Sequence, residues 1–147
     1  GGNVLGLATG FAELVAAGQI AQPPKLHAVQ AEGCSPLVAQ FEGRPVPAIN
    51  PTVADGIATP QPVRANAILE AVRGSGGQAL AVSEAEIRAA LRDLLAAGWY
   101  VEPTTAAGAA GLSRLQAGGH IRPGETAVLV LTGHGLKAGQ AVADTLA

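Results

Sequence analysis

The sequence has few aromatic side chains, few charges and no methionine. Aromatic residues make up 3% and charged residues 14% of the 147 positions. Average proteins carry roughly 25% charged residues, so the low value indicates much buried surface, or surface that another domain covers. Nine basic and eleven acidic residues give a net charge of −2 without a basic cluster. We therefore expect no nucleic-acid partner.

Cysteine and long apolar runs are equally scarce. The single cysteine, Cys34, excludes an internal disulfide and fits a reducing compartment, so we expect a cytoplasmic protein. No apolar run reaches the ~18 residues of a membrane span, and we expect no membrane partner. His27, His120 and His134 lie far apart without metal-ligand spacing, which predicts no metal site. No catalytic triad is evident either.

The most informative stretch is the apolar run at residues 126–131, which stops at Thr132 and Gly133. A continuous apolar run bounded by turn residues predicts a strand buried on both faces. Open parallel sheets bind ligands just outside the carboxyl ends of their strands. We therefore expect the Thr132 hydroxyl to face a ligand, and Gly133 and Gly135 to let a flat ligand come close.

The other end of the chain offers a second candidate. Gly1, Gly2 and Asn3 open directly into a predicted helix over residues 4–17. Free backbone N–H groups and the helix dipole at such a start favour an anion, usually a phosphate. A flexible amino terminus with Asn3 as a helix cap remains the alternative.

Strands and helices alternate along the whole chain. The predicted strands span residues 26–30, 78–82, 99–101 and 126–131, and the predicted helices span residues 4–17, 37–41, 63–73, 84–97 and 106–116, with a possible helix end after 139. Ser83 and Glu86 form a capping-box pattern. A proline-pinned loop at 43–62 is expected to be ordered and functional. The order predicts an α/β fold, a parallel sheet flanked by helices on both faces.

Isolated reactive residues mostly favour structural roles. Cys34 is expected to be a buried, unreactive thiol, and His27 to be structural. Lys25 and Lys137, the only lysines, are expected to be exposed. For His134, ligand contact and a purely local role remain equally open. Near Glu102, we expect Thr104 or Thr105 to cap the following helix.

Five segments taken together point to one enzyme family. They are residues 1–3, 29–37, 51–57, 101–107 and 130–137. In this order and at this spacing they closely resemble threonine synthase, of the tryptophan-synthase-β-like class of pyridoxal-phosphate enzymes. The resemblance covers nearly the whole chain. Each motif alone is shared with threonine and serine dehydratases, but the ending Leu-Thr-Gly-His-Gly-Leu-Lys favours threonine synthase.

The resemblance implies a cofactor, pyridoxal phosphate, and a reaction, O-phosphohomoserine and water to threonine and phosphate. By this resemblance Gly1, Gly2 and Asn3 belong to the loop that holds the cofactor phosphate. Thr132 matches the residue whose hydroxyl meets the pyridine nitrogen, and a neutral hydroxyl makes the ring a milder electron sink than a carboxylate would. The turns at 32–33, 55–56 and 102–103 would rim the ring and the amino-acid substrate.

The resemblance also implies what the 147 residues leave out. The family's Schiff-base lysine lies upstream of the phosphate loop, and neither Lys25 nor Lys137 matches it. We therefore expect residues 1–147 to be a carboxy-terminal portion of the large domain, inactive alone, which needs the remainder of the enzyme and forms a homodimer. The alternatives are a dehydratase of the same fold and a non-catalytic α/β module that binds an anion or a partner.

Overall fold

A short parallel sheet with helices packed around it positions the turns named above. The computed structural model describes residues 1–146. The elements are α1 (Gly2–Ala16), β1 (Ala28–Ala31), α2 (Pro36–Phe41), α3 (Ala65–Gly74), β2 (Ala79–Val82), α4 (Glu84–Ala96), α5 (Pro103–Ala117) and α6 (Gly139–Leu146). Single 3-10 turns lie at Glu32–Cys34, Asp55–Ile57 and Gly135–Ala138. The predicted order of helices is confirmed, with boundaries shifted by a few residues.

The two strands pair in parallel, and helices cover both of their faces. Val29 lies opposite Leu80 in the register. On one face, the Val29 side chain fills the space that a Cβ would need at Gly111 of α5. On the other face, the Oε1 atom of Gln30 accepts hydrogen bonds from α2. Because neighbouring residues of a strand point to opposite faces, the predicted α/β class is confirmed.

The main core lies between the sheet, α4 and α5. Ile87 and Leu91 of α4 are fully buried, and α4 packs extensively on α5. The facing side of α5 is made of small residues, among them Ala106 and Ala107. Small side chains on one helix let large side chains on its neighbour reach the sheet, so the aromatic-poor composition still yields a closed core.

Helix α1 is less covered than its composition predicts. None of its residues is buried. Val4 and Leu5 pack partly against Ile68 and Leu69. A Cβ added at Gly6 or Gly10 would meet nothing within 4 Å, so no other segment of residues 1–146 packs closely at these two positions.

The predictions of two strands are wrong. Residues 126–131 form no strand, and Val128 is 84% exposed. Residues 99–101 form no strand either, since Val101 makes only an isolated antiparallel bridge with His134. The physical reason is the missing partner. Leu129 reaches α5 near Gly108, but no strand in the described part of the chain lies alongside the run to satisfy its backbone.

The loop between α2 and α3 is held to the core, as expected for an ordered loop. Val53 and Ile57 pack against the main core, whereas Ile49 remains exposed. The Glu84 carboxylate accepts hydrogen bonds from the Thr52 hydroxyl and, at 2.9 Å, from the Val53 N–H. The first turn of α4 thus anchors this loop beside the carboxyl ends of the strands.

Helix α4 begins with the predicted capping box. The Ser83 hydroxyl accepts from the Glu86 N–H, and the Glu86 carboxylate accepts from the Ser83 N–H at 2.7 Å. Between residues 1 and 146, no helix is long and apolar enough to cross a membrane.

Candidate functional site

Two separate turns converge on the amino terminus of α5: the 55–56 turn of the loop between α2 and α3, and the 132–133 turn after the apolar run. The Gly56 N–H donates to the Thr104 Oγ1 at 3.1 Å. The Gly133 N–H donates to the Thr105 Oγ1 at 2.8 Å. The predicted rim turn 55–56 and the 132–133 segment that contains Thr132 are therefore fixed by consecutive threonines of one helix.

Thr132 lies at this junction with an exposed side chain. Its Oγ1 is 3.4 Å from the Thr105 Oγ1. The next residue, Gly133, is buried, and a Cβ at that position would overlap the Glu102 carboxylate. The Glu102 N–H also donates to the Gly133 carbonyl at 3.1 Å. The backbone at 132–133 therefore runs close to the start of α5, and a side chain at residue 133 would require the Glu102 side chain to move.

The turn after β1 packs against the proline-rich loop in the same manner. The Asn50 N–H donates to the Gly33 carbonyl at 2.8 Å. A Cβ at Gly33 would lie 3.0 Å from the carbonyl oxygens of Asn50 and Pro51. This close approach brings the predicted 32–33 turn and the start of the 51–57 segment side by side.

The predicted anion site lies at a different helix. Gly1 occupies the cap position of α1, where no side chain of the described residues caps the helix and no acidic residue stands in the first turn. Gly1, Gly2 and Asn3 are exposed, and Gly1 lies against Ile68 of α3. The first N–H groups of α1 thus meet no capping side chain within residues 1–146, an arrangement that suits an anion.

The expected cap of α5 is wrong. Glu102 occupies the cap position without a side-chain hydrogen bond. The Thr104 and Thr105 hydroxyls are directed to Gly56 and Gly133 instead. Both threonines lie inside the first turn and not at the cap position, and their hydroxyl oxygens accept from N–H groups of separate segments.

The helix start at Ser35 is also capped from a distance. Ser35 makes no side-chain cap bond. Instead, the Gln30 Oε1 accepts from the Leu37 and Val38 N–H groups at 2.9 and 3.1 Å. A buried amide of β1 therefore holds α2 against the sheet.

His134 makes local contacts in the structure. Its Nδ1 accepts from the Leu136 N–H at 3.3 Å, and its ring meets Tyr100 edge to face at 5.3 Å between centroids. Lys137 is exposed in the following turn. These contacts orient the 133–137 segment toward residue 100.

The remaining reactive side chains behave as expected for structural residues. Cys34 is fully buried. Burial lowers the pKa of His27, and the nearby positive charges of His120 and Lys25 lower it further. The His27 Nδ1 accepts from the Gln78 N–H at 3.1 Å, so the neutral ring links the starts of the two strands. Lys25 is exposed, 3.9 Å from Glu125.

A cluster of charged side chains lies where residues that follow the two strands meet α5. The Arg114 Nε lies 2.8 Å from the Glu86 carboxylate, and its Nη2 lies 3.8 Å from Glu32. Burial alone would raise the pKa of Glu86. Hydrogen bonds from the Ser83 N–H and hydroxyl, together with the Arg114 charge and hydrogen bond, outweigh burial and lower that pKa.

The sequence does not predict the long-range hydrogen bonds by which Glu84 and Thr105 hold the turns. Glu84 bonds to residues 31 and 32 positions away, and Thr105 bonds to Gly133, 28 positions away. Spacing rules report on neighbours within a helix turn or a strand pair, so neither pattern carries a signal for these contacts.

Comparison with known proteins gives a consistent result. Residues 1–133 match the family described as "Pyridoxal-phosphate dependent enzyme". The threonine synthase of Methanosarcina acetivorans is 42% identical over 97% of this chain and 36% of the relative. That of Methanocaldococcus jannaschii is 41% identical over 92% of this chain and 35% of the relative. The chain thus spans about a third of the length of these curated relatives.

Among solved structures, a threonine deaminase from the organism abbreviated T.th. superposes with a TM-score of 0.65 at 29% identity. The match covers 91% of this chain and 46% of that one. The described elements are therefore arranged as in part of a larger α/β protein.

Proposed function

Because the chain belongs to the family of pyridoxal-phosphate-dependent enzymes, we propose that it forms part of a threonine synthase. The reaction is the conversion of O-phosphohomoserine and water to threonine and phosphate. The observation that carries the proposal is the 42% identity to a threonine synthase over 97% of this chain.

The chain supplies one portion of that enzyme. It spans 36% of the same relative, and from the resemblance of its motifs we propose that residues 1–147 are the carboxy-terminal part of the large domain. The remainder of the enzyme supplies the other strands, the small domain and the lysine that binds the cofactor covalently. The complete protein is expected to be a homodimer that binds an amino-acid substrate.

The residues present fit a phosphorylated ring on two features of the structure. The start of α1 has no capping side chain among the described residues and no acidic residue in its first turn, so its N–H groups suit a phosphate dianion. The Thr132 residue is exposed beside the start of α5, to which the next residue, Gly133, is hydrogen-bonded. Gly1, Gly2 and Asn3 would hold the phosphate, and Thr132 would donate to the ring nitrogen.

When bound, pyridoxal phosphate supplies the electron sink for the reaction. This chain orients the ring. A hydroxyl carries no charge, so Thr132 does not hold a proton on the ring nitrogen as a carboxylate would. The turns at 32–33 and 55–56, fixed by Asn50 and Thr104, restrict the space in which the substrate lies.

A dehydratase of the same fold is the second candidate, favoured by the structural likeness to threonine deaminase. Substrate profiling of the complete enzyme separates the two. We expect phosphate release from O-phosphohomoserine with threonine as the product. Ammonia release from threonine, without turnover of O-phosphohomoserine, would contradict the proposal and support the dehydratase.

A further inference from the structure

Thr105 has an unusual position for a helical threonine. It lies in the first turn of α5 with 2% of its surface exposed. Helical threonines commonly bond the carbonyl one turn earlier. The Thr105 hydroxyl instead crosses to the segment after the apolar run, where it accepts from the Gly133 N–H at 2.8 Å and donates to the Gly133 carbonyl at 3.1 Å.

These bonds fix both polar groups of Gly133. The same carbonyl accepts a second hydrogen bond from the Glu102 N–H at 3.1 Å. A side chain at residue 133 would meet the Glu102 carboxylate, so glycine at this position lets the two segments approach closely. We call the hydrogen bonds from Thr105 to Gly133 the clamp, and Thr132 is the residue directly before it.

The Thr132 hydroxyl makes only one long contact at this junction. A threonine hydroxyl has one hydrogen, and that of Thr105 is directed to the Gly133 carbonyl, so Thr132 is the donor in its contact with Thr105. The 3.4 Å between the two hydroxyl oxygens exceeds the usual O–H···O distance of about 2.7–2.8 Å. The Thr132 hydrogen is therefore held only weakly by Thr105, and a ring nitrogen at normal hydrogen-bond distance would be the better acceptor.

We propose that Thr105 is a positioning residue: by clamping the Gly133 peptide, its hydroxyl sets the direction in which Thr132 presents its own hydroxyl to the pyridine nitrogen of the cofactor. This inference rests on the proposed function, because it assigns the partner of Thr132. It concerns a residue that touches neither cofactor nor substrate.

The test compares Thr105→Val with Thr105→Ser in the holoenzyme. Valine keeps the volume and removes the hydroxyl, whereas serine keeps the hydroxyl. With Thr105→Val, we expect faster amide exchange at residues 131–135 and a cofactor Kd raised by no more than the about two- to tenfold expected when the Thr132 hydrogen bond is lost. Thr105→Ser should restore slow exchange and tight binding. Equal impairment in both variants would overturn the proposal.

Thr145→Val is the matched control. Thr145 is also buried, and its hydroxyl bonds to the Ala141 carbonyl and to Arg88, away from α5. This variant should lower the melting temperature and leave the cofactor Kd unchanged. A cofactor Kd raised as much by Thr145→Val as by Thr105→Val would mean that general destabilisation, and not positioning, explains the effect.

A double variant separates this inference from the proposed function. If Thr105 acts through Thr132, then Thr105→Val combined with Thr132→Val should bind cofactor no more weakly than Thr132→Val alone. Additive losses would overturn the positioning role. If Thr132→Val alone leaves the cofactor absorption spectrum and Kd unchanged, the assignment of Thr132 fails, and with it this inference.

Discussion

Helix α5 and the run at residues 126–131 differ in an unexpected way. The less hydrophobic of the two, α5, is the more buried. The helix is built largely from alanine and glycine, yet Ala106, Ala107 and Ala110 are buried. The run is richer in large apolar side chains, yet Val128 and Val130 are 84% and 46% exposed. Apolar composition describes what a segment is able to bury, whereas burial itself depends on whether a neighbour is present.

The largest expected effect concerns association of the 147-residue chain. Val128, Val130 and much of α1 present apolar surface that the rest of residues 1–146 leaves exposed, and such surfaces drive association. Sedimentation should show dimers or larger species, and a dye for apolar surface should bind. Val128→Lys should reduce both, whereas Val63→Lys, at a fully exposed isolated position, should not. A sharp monomer without dye binding would contradict the comparison.

A second prediction compares one side chain from each kind of region. Leu91→Ala removes a fully buried side chain of α4 and should lower the free energy of unfolding by about 2–5 kcal/mol. Val128→Ala should change it by less than about 0.5 kcal/mol. Urea unfolding of both variants measures the difference. Equal losses would show that the run is buried in solution.

Glycines give a third comparison. Gly111→Ala places a methyl group against Val29 and should destabilise the chain by about 1–3 kcal/mol through overpacking. Gly10→Ala in α1 meets nothing within 4 Å and should stabilise that helix by about 0.5–1 kcal/mol. The two melting temperatures test this. A loss at Gly10 as large as that at Gly111 would reveal a covering neighbour on α1.

The fourth and smallest effect concerns the start of α4. Ser83→Ala should cost about 0.5–2 kcal/mol through loss of the cap. Folding lowers the pKa of Glu86 below its ordinary 4.5, so this carboxyl adds stability above that pH and loses it as the pH falls through its folded pKa.

The difference in stability between the wild type and Ser83→Ala should therefore shrink as the pH falls below 4.5, the ordinary pKa of Glu86. Denaturant titrations between neutral pH and about pH 3 would measure it. A stability difference that stays constant over this range would contradict a charge-assisted hydrogen bond between the Ser83 hydroxyl and the Glu86 carboxylate.

Local features of this chain could be predicted from the sequence, whereas features that depend on distant partners could not. The capping box at Ser83 and the strand at 78–82 were predicted correctly because their signals lie within a few residues. The run at 126–131 has the composition of a strand but lacks a pairing neighbour within residues 1–146. The clamp at Thr105 depends on a contact across 28 residues, which no local pattern encodes.

The candidate site divides in the same way. The place of Thr132 after an apolar run predicts a ligand-facing hydroxyl at the end of a strand. In the structure Thr132 lies at a junction of turns. The segment before it is exposed and is not a paired strand. Gly1, Gly2 and Asn3 were chosen from the start of a helix, and the helix begins at Gly2. Their cofactor roles stay predictions, and Thr132 offers the sharper test.

The most direct measurement is the cofactor Kd of the complete enzyme with Thr132→Val. The substitution exchanges a hydroxyl for a methyl group of similar volume and removes one hydrogen bond, worth about 0.5–1.5 kcal/mol. We predict a cofactor Kd raised by about two- to tenfold, with the melting temperature of the cofactor-free protein unchanged. An unchanged Kd with a large drop in that melting temperature would make Thr132 a structural residue and contradict the account.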